Sequence, residues 1–336
     1  MIHAMNNIQL SHPWLQQSYS QLTNYIEQNR IPQALLIVGK KGLGKDQLAK
    51  AFAQSLLCSQ AQNDSTFCGK CQSCTLFSAQ THPDYFYIQP EEQGKVIGID
   101  VIRQLTVKLS LKPQFDTHRI IIINPADRLN NASANAFLKY LEEPTERTSI
   151  VLITESPFKL PATIKSRCQK IELAAPDRAV AKTWLQQQGV AEKCDLLLNL
   201  SQGSPLLAKQ FSESSLLKYR AECFNQWCKL ASSDESFVEI AEHWQKLDKE
   251  TINLLLSWLV SWVMDMIKLR HQQQTNSVVN QDLITDLQEL AKRLDLKALF
   301  KHYDLLLLSW QRFDTQLNKQ LLFEEILIQW SQLNSR

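Results

Sequence analysis

The sequence predicts an α/β region built on a parallel sheet, followed by an all-helical region. Five short apolar runs alternate with amphipathic helical stretches in the first half of the chain, which is typical of a parallel sheet flanked by helices. All eight glycines and all eleven prolines occur at or before Pro205. The part after Pro205 therefore lacks the two strongest helix breakers, and we expect it to be helical throughout.

Composition indicates an ordinary globular protein. The chain has 336 residues, of which 44% are hydrophobic and 21% are charged, enough for a sizeable core in two or three domains. The formal net charge of +2 predicts no global positive field, so any nucleic-acid contact would need a local patch. Met1–Asn7 has no basic start followed by an apolar stretch. We therefore expect no signal peptide and a cytoplasmic location.

The elements of the α/β region can be predicted in order. The predicted strands are Ala34–Val38, Tyr85–Ile88, Ile120–Ile123, Ser149–Thr154 and Lys170–Leu173. Helices are predicted after Asp46, near Asp100 with Ile102, Leu105 and Leu109 facing inward, and over Ala132–Glu142, where Pro144 stops the helix. A small helical unit should follow between Pro176 and Phe211.

The first predicted strand leads into a glycine-rich loop, Gly39-Lys40-Lys41-Gly42-Leu43-Gly44-Lys45-Asp46. A strand, Gly-x4-Gly-Lys and a helix form the loop whose amides bind phosphates, so the predicted binding residues are Gly39, Gly42, Gly44 and Lys45. The last position should be Ser or Thr, whose hydroxyl binds magnesium, but it is Asp46. Without phosphate, Lys45 is expected to pair with Asp46 or with solvent.

A hydrolytic P-loop site also needs a carboxylate at the end of a neighbouring strand. The residues that follow Ile120–Ile123 are Asn124 and Pro125, and neither can supply one. With Asp46, this predicts an inherited loop kept for its backbone and makes ATP binding doubtful. The alternative is an active ATPase that coordinates magnesium unusually, through Asp46.

Four cysteines, Cys58, Cys68, Cys71 and Cys74, are close enough in sequence to form one metal site. Four thiolates match the number and softness of ligands that zinc prefers and leave no open coordination position, so the sequence predicts a structural zinc site. An iron–sulfur cluster is less favoured because the fourth cysteine precedes the triplet. The remaining alternative is a set of unligated thiols.

Five segments together resemble the bacterial clamp-loader subunits of DNA polymerase III, which are AAA+ proteins. These segments are Gly39–Asp46, the cysteines after the first helix, Thr81–Tyr85, Leu138–Pro144 and Ser166–Cys168. The resemblance covers roughly residues 10–210. It implies an AAA+ P-loop domain over residues 1–173 with an inserted zinc-binding module at 58–74, a small helical lid at 174–211, and an all-helical collar domain at 212–336.

The resemblance also implies a role. Clamp-loader subunits form a five-subunit ring that loads the sliding clamp onto primed DNA with ATP held by gamma/tau subunits. The implied partners are therefore subunits of the gamma/tau and delta types, and no contact with a membrane is implied. Ser166, Arg167 and Cys168 match the family's trans-acting motif, in which the arginine reaches the ATP of the neighbouring subunit.

Departures from the ATPase subunits occur at Asp46, Asn124 and Pro125, and at Gly203–Pro205, where those subunits carry a nucleotide-sensing arginine. Such departures distinguish the delta-prime-like members of the family. The chain is thus expected to have no catalysis of its own and to be an accessory subunit of the polymerase holoenzyme.

Other interpretations of these residues remain open at this point. A single arginine such as Arg167 is usually a surface residue in a salt bridge, and only the surrounding motif favours the trans-acting role. Cys168 is expected to pack as a small residue, since no histidine is near it in sequence. A further candidate function is a zinc-dependent nucleic-acid-binding module. Its sparse phosphate contacts would be Lys40, Lys41, Lys70 and Arg103.

The helical region contains two features with more than one interpretation. The apolar stretch Thr251–Leu269 has one polar stripe, Asn253, Ser257, Ser261 and Asp265, which favours a helix inside a bundle over a bilayer span. Six tryptophans follow Pro205. They would suit large buried interfaces, although packing in the core is the default explanation.

Overall fold

The computed structural model describes residues 12–62, 64–92, 95–109, 112–115, 118–143, 146–232, 236–271, 277–313 and 318–334. The chain divides into two compact units. One comprises Met1–Trp184 and Ser204–Leu207, and the other comprises Leu185–Gly203 and Ala208–Arg336. The predicted division into three domains at residues 173 and 211 stays a prediction.

The first unit is built on a five-stranded parallel sheet with the strand order β2-β3-β4-β1-β5. The strands are β1 (Ala34–Val38), β2 (Tyr85–Ile88), β3 (Arg119–Ile123), β4 (Thr148–Thr154) and β5 (Gln169–Glu172). All five predicted runs are strands, and their ends lie within one residue of the prediction. Strands β1, β3 and β4 are buried along their whole length, which explains their continuous apolar sequences.

Helices cover both faces of this sheet. They are α1 (Gln16–Glu27), α2 (Lys45–Leu57), α3 (Gln72–Ser78), α4 (Ile99–Leu109), α5 (Asn131–Glu142) and α6 (Ala162–Lys165). After β5 comes α7 (Arg178–Gln187), whose last residues, from Leu185, belong to the second unit. Alternate residues of β1 enter two different core clusters: Leu35 and Ile37 pack with α1 and α2, whereas Leu36 and Val38 pack with α4 and α5. The three residues of α4 predicted to face inward are buried. Pro144, predicted to stop α5, lies outside the described residues.

The second unit is helical. Its helices are α8 (Cys194–Leu200), α9 (Pro205–Glu213, whose first residues belong to the first unit), α10 (Leu216–Ala231), α11 (Phe237–Gln245), α12 (Lys249–Arg270), α13 (Ile284–Arg293), α14 (Leu296–Phe313) and α15 (Lys319–Asn334). Within the described residues, every regular element from Pro205 onward is a helix, as the missing glycines and prolines predict.

Tryptophans fill the core of the second unit. Of the six that follow Pro205, five are buried in it: Trp227, Trp244, Trp258, Trp262 and Trp330. The rings of Trp227 and Trp330 stack at 3.8 Å between centroids, and Trp330 Nε1 donates to the Trp227 carbonyl at 2.9 Å. For these five residues core packing is the correct explanation, and the interface interpretation is wrong because the chain's own helices bury them.

Helix α12 is, among the described helices, the one long and apolar enough to cross a membrane by length and composition alone. More than half of its apolar window is buried inside the protein, as in the core helix of a helical bundle. The predicted polar stripe is satisfied by the protein itself. Asp265 is fully buried and accepts hydrogen bonds from the backbone nitrogen of Asn280 at 2.8 Å and from its Nδ2 at 2.7 Å.

Candidate functional site

The glycine-rich loop joins β1 to α2, as the strand–loop–helix pattern predicts. Gly42 has a φ of +79°, in the left-handed region that favours glycine. A Cβ at this position would lie 2.5 Å from the Cβ of Leu207, and Leu206 donates its backbone N–H to the Gly42 carbonyl at 3.2 Å. Residues Ser204–Leu207 therefore cover the middle of the loop on the side of the Gly42 carbonyl.

The first and last glycines of the loop also lie close to neighbouring residues of the first unit. A Cβ at Gly39 would lie 2.9 Å from the Leu173 carbonyl oxygen, and one at Gly44 would lie 2.9 Å from the side chain of Leu15. Trp14 Nε1 donates to the Leu43 carbonyl at 2.9 Å. The predicted binding glycines are thus packed against neighbouring elements.

Lys45 folds back over the loop. Its side chain is 6% exposed, and Nζ donates to the Lys40 carbonyl at 2.7 Å and lies 3.4 Å from Glu155 Oε1. Burial lowers the pKa of Lys45, and the charge of Glu155 acts in the opposite direction. The prediction that Lys45 pairs with Asp46 or solvent is wrong, because the loop's own carbonyl and a carboxylate beyond β4 lie within reach.

Asp46 binds three other side chains. Its carboxylate lies 2.7 Å from Lys50 Nζ and accepts hydrogen bonds from the Tyr87 hydroxyl at 2.7 Å and from Asn124 Nδ2 at 3.3 Å. Asn124 Nδ2 also lies 2.8 Å from the Tyr87 oxygen. Burial, and after it the charge of Asp46, raises the pKa of Tyr87. Asp46 and Asn124 stand at the two positions where an ATPase would bind magnesium, and they are hydrogen-bonded to each other.

Two carboxylates near Lys45 were missed by the sequence reasoning. Glu155 follows β4 directly, and Asp127 accepts a hydrogen bond from Thr154 Oγ1 at 2.6 Å. The charge of Asp127 also acts to raise the pKa of Lys45. The carboxyl ends of parallel strands meet at one edge of a sheet, so inspection of the residue after every strand would have found Glu155.

Arg167 lies in the turn between α6 and β5. Its Nη2 is 2.7 Å from Glu142 Oε1, and its Nη1 donates to the Thr163 carbonyl at 3.0 Å. Ser166 Oγ donates to the same carbonyl at 3.2 Å. With 36% of its side chain exposed, Arg167 is at the surface and in a salt bridge, as expected by default for a single arginine.

Cys168 points away from this surface. It is half-buried and packs against the core cluster beneath α5. Burial raises the pKa of its thiol to about 11, which disfavours the nucleophilic thiolate. The position of Cys168 therefore suits the predicted packing role.

The four predicted cysteine ligands come together. The sulfur atoms of Cys58, Cys68, Cys71 and Cys74 all lie within 4.8 Å of one another. Cys58 Sγ is 3.6 Å from Cys68 Sγ and 3.8 Å from Cys71 Sγ. Zinc–sulfur bonds of about 2.3 Å in a tetrahedron place the sulfurs roughly 3.8 Å apart, so the cluster can hold a metal ion of that size.

Local backbone geometry supports the sulfur cluster. Cys58 follows the last residue of α2, and Cys71 caps the start of α3, where its sulfur accepts the Cys74 N–H at 3.4 Å. Cys71 N–H in turn points to Cys68 Sγ at 3.3 Å. Gly69 has a φ of +71° in the tight turn between them. Such N–H···S contacts stabilise thiolate ligands.

The Thr81–Tyr85 segment connects the cysteine module to the sheet. His82 is buried, with Nε2 2.9 Å from Ser73 Oγ and Nδ1 accepting the Asp84 N–H at 3.1 Å. Burial lowers the pKa of His82. Ser73 Oγ also donates to the Leu57 carbonyl at 2.5 Å. The segment thus has a structural explanation.

The four residues predicted as phosphate contacts in the nucleic-acid-binding alternative do not form a distinctive site. Lys40, Lys41, Lys70 and Arg103 are exposed. Arg103 lies 3.3 Å from Asp100 in an i,i+3 ion pair on α4. Nothing in their placement favours a phosphate backbone over solvent.

The strand order, the strand–loop–helix at β1 and the helices on both faces define an AAA+ P-loop type of domain. Residues 14–177 match the family model described as "DNA polymerase III, delta subunit", and residues 214–332 match "DNA polymerase III, delta subunit, C terminal". The DNA polymerase III subunit delta' of Pseudomonas aeruginosa is 32% identical over 327 residues, which cover 96% of this chain and 98% of that protein. The corresponding protein of Escherichia coli is 32% identical, with 94% of each chain covered. The chain belongs to the DNA polymerase III subunit delta' family, which confirms the family that the five segments indicated.

Two solved structures with lower sequence identity also match this chain. A DNA polymerase III gamma subunit-related protein from Thermotoga maritima is 18% identical, with 94% of this chain and 99% of that chain covered and a TM-score of 0.38. The Bacillus subtilis DNA clamp loader delta protein is 13% identical, with 95% and 100% covered and a TM-score of 0.32. Similarity at this level supports no inference about function.

Proposed function

We propose that this chain is a clamp-loader subunit that does not hydrolyse ATP itself and supplies Arg167 to the ATP of a neighbouring subunit. The observation that carries the proposal is a contrast within the first unit. The loop that would bind a nucleotide is covered, whereas the arginine of the trans-acting motif lies at the surface.

The residues of the loop support the absence of hydrolysis. Asp46 is held by Lys50, Tyr87 and Asn124, so a magnesium ion would have to compete with these three partners for the Asp46 carboxylate. Hydrolysis in P-loop enzymes needs a hydroxyl and a carboxylate on that ion, and Asp46 and Asn124 stand at those two positions. Leu206 and Leu207 pack against Gly42 in the middle of the loop, through its carbonyl and the side on which a Cβ would project.

The chemistry of arginine supports a role in trans. A guanidinium is planar and permanently charged, and it stabilises the charge that develops on a transferring γ-phosphoryl group. Its five N–H donors allow Arg167 to keep its present partners while others point to a phosphate. Its pair with Glu142 is an exposed one, of the kind that contributes about 0–1 kcal/mol, so it does not bar this role.

A zinc ion bound by Cys58, Cys68, Cys71 and Cys74 would be structural. When bound, it would supply a rigid cross-link with no open coordination position for a substrate. The chain's own residues contribute the turn at Gly69 and the N–H groups that point to the sulfurs, which together hold the end of α2 next to α3. The inserted module is thus proposed to stabilise the first unit.

The partners follow from the family. We expect gamma/tau and delta subunits in a five-subunit ring, with the sliding clamp and primed DNA contacted through the complex, in the cytoplasm. The lid and collar assignments for residues 174–211 and 212–336 belong to the same proposal. The described regular elements of the second unit are all helices, as a helical collar requires.

The test is reconstitution of the complex with its ATPase subunits, clamp and primed DNA. Arg167→Ala should lower hydrolysis at the site it serves by roughly 10³-fold, which appears as a partial loss of total turnover because other sites remain. Arg103→Ala, which removes another exposed and paired arginine, is the matched control. Full hydrolysis and clamp loading by a correctly assembled Arg167→Ala complex would refute the proposal.

An intrinsic ATPase is the second candidate, because Lys45 is retained and the carboxylates Asp127 and Glu155 lie close to it. The measurement is turnover by the purified chain with magnesium, compared with Lys45→Ala. Turnover that disappears in the variant would favour this candidate over the non-hydrolysing subunit.

A further inference from the structure

Glu142 and Arg167 belong to two separate segments of the family resemblance, and the structure joins them. Glu142 is the last residue of α5, and Arg167 follows α6 by two residues. Glu142 Oε1 lies 2.7 Å from Arg167 Nη2. The two side chains are 50% and 36% exposed, so this contact lies at the surface of the first unit.

The packing beneath them explains why these two residues meet. Leu141, Ile164 and Cys168 all enter the same core cluster. Leu141 directly precedes Glu142, and Cys168 directly follows Arg167. Because Leu141 and Cys168 pack in one cluster, their chain neighbours Glu142 and Arg167 lie next to each other at the surface.

The guanidinium is held at two points. Nη2 faces the Glu142 carboxylate, and Nη1 donates to the Thr163 carbonyl at 3.0 Å. Two contacts on different nitrogens fix both the direction of the side chain and the plane of the guanidinium. An arginine without them would distribute over many rotamers, and only a small share of those would point at a given phosphate.

We propose that Glu142 is a positioning residue for Arg167 in the assembled loader. The proposal rests on the proposed function, in which Arg167 is the catalytic residue for the neighbour's ATP. Glu142 does not touch that ATP; it keeps Arg167 extended and oriented, and the remaining N–H groups of the guanidinium face the γ-phosphoryl group. The helix end that carries Glu142 thereby gains a role in hydrolysis at the neighbouring site.

The experiment uses the reconstituted complex with clamp and primed DNA, and it compares wild type, Glu142→Gln, Arg167→Ala and the double variant. Glu142→Gln keeps size and polarity but removes the charge. We expect it to lower kcat at the affected site by about two- to fivefold, the occupancy change that matches loss of an exposed ion pair. The KM for ATP should not change, and the melting temperature of the purified chain should fall by no more than about 2–4 °C, as expected for loss of one exposed ion pair. In the Arg167→Ala background, Glu142→Gln should have no further effect.

Glu146→Gln is the matched control, since Glu146 is an exposed glutamate four residues further on. It should leave kcat unchanged. If Arg167→Ala lowers hydrolysis but Glu142→Gln does not, the positioning role is wrong and the proposed function stands. A rise in kcat with Glu142→Gln, or an equal loss in the Arg167→Ala background, would also overturn the positioning role. If Arg167→Ala itself has no effect, both proposals fail.

Discussion

The hydroxyl of Tyr87 donates a 2.7 Å hydrogen bond to the carboxylate of Asp46. This bond connects β2 to the first turn of α2, and Lys50 and Asn124 complete the group. A side chain at the magnesium position of a P-loop thus serves as a structural link between the sheet and the helix after the loop.

Removing this hydroxyl should destabilise the first unit. Hydrogen bonds to charged groups contribute about 1.5–3 kcal/mol to stability. Because Asp46 is partly exposed, the stability lost in Tyr87→Phe should lie near the lower end of that range. We expect a loss of roughly 1–1.5 kcal/mol in the free energy of unfolding, measured by urea denaturation of the full chain. Tyr85→Phe is the matched control on the same strand, and it should cost less because no hydrogen bond from Tyr85 to Asp46 is found among the described residues. Equal effects of the two variants would contradict the structural role of the bond.

Gly42→Ala tests the cover over the loop. The new methyl group would meet the Leu207 Cβ at 2.5 Å and its backbone nitrogen at 2.7 Å, and the φ of +79° is strained for alanine. We expect a loss of about 1–3 kcal/mol in the free energy of unfolding. Gly189 has a similar φ of +83°, but an added Cβ there meets nothing within 4 Å, so Gly189→Ala reports the backbone strain alone and should cost less than Gly42→Ala. A stable Gly42→Ala protein would show that residues Ser204–Leu207 do not cover the loop in solution.

The cysteine cluster predicts one tightly bound zinc ion per chain, measured by elemental analysis of the purified protein. Cys71→Ser should lose most of the metal and lower the melting temperature, because Cys71 both contributes a sulfur and caps α3. Cys228→Ser, outside the cluster, should keep it. Wild-type protein with an intact fold and less than about half an equivalent of metal would contradict a structural zinc site.

Elements that depend on local patterns were predictable from the sequence, but pairs of distant side chains were not. The apolar run of β1 and the spacing of Ile102, Leu105 and Leu109 predict a buried strand and an inward helix face, because period and burial are properties of neighbouring residues. The short sequence spacing of the four cysteines likewise predicts that their sulfurs lie together, as they do. The prediction of the Lys45 partners was wrong because these partners depend on the loop conformation and on Glu155, which is 110 positions away in sequence.

The Glu142–Arg167 pair shows the same limit. Each residue lay in a segment that the sequence singled out, yet nothing in either segment says that they touch. Their contact depends on how α5 and α6 pack on a shared cluster, which fixes the two surface positions only once the core is formed. Sequence reasoning found the two residues, and the packing supplied the relationship between them.

The last prediction concerns pH and the core of the second unit. His302 is fully buried, with Nδ1 2.9 Å from Gln329 Oε1 and its ring 5.4 Å from that of Trp330. Burial lowers the pKa of His302 to about 4, although the contact with Gln329 acts in the opposite direction. Because the unfolded chain has a histidine pKa of about 6.5, it binds the proton first as the pH falls. The stability contribution of neutral His302 is therefore present above about pH 6.5 and is lost as the pH falls towards 4.

We expect His302 to account for about 2 kcal/mol of the stability lost between pH 7 and pH 5, from a difference of 1.36 kcal/mol per pH unit. His302→Gln cannot bind the proton, so the drop in its free energy of unfolding between these pH values should be smaller than in wild type by about that amount. The comparison isolates His302, because His82 and His118, whose pKa values burial also lowers, remain in both proteins. If His302→Gln loses as much stability as wild type on acidification, His302 accepts its proton in the folded core, and the helices around Trp330 must open enough to hydrate it.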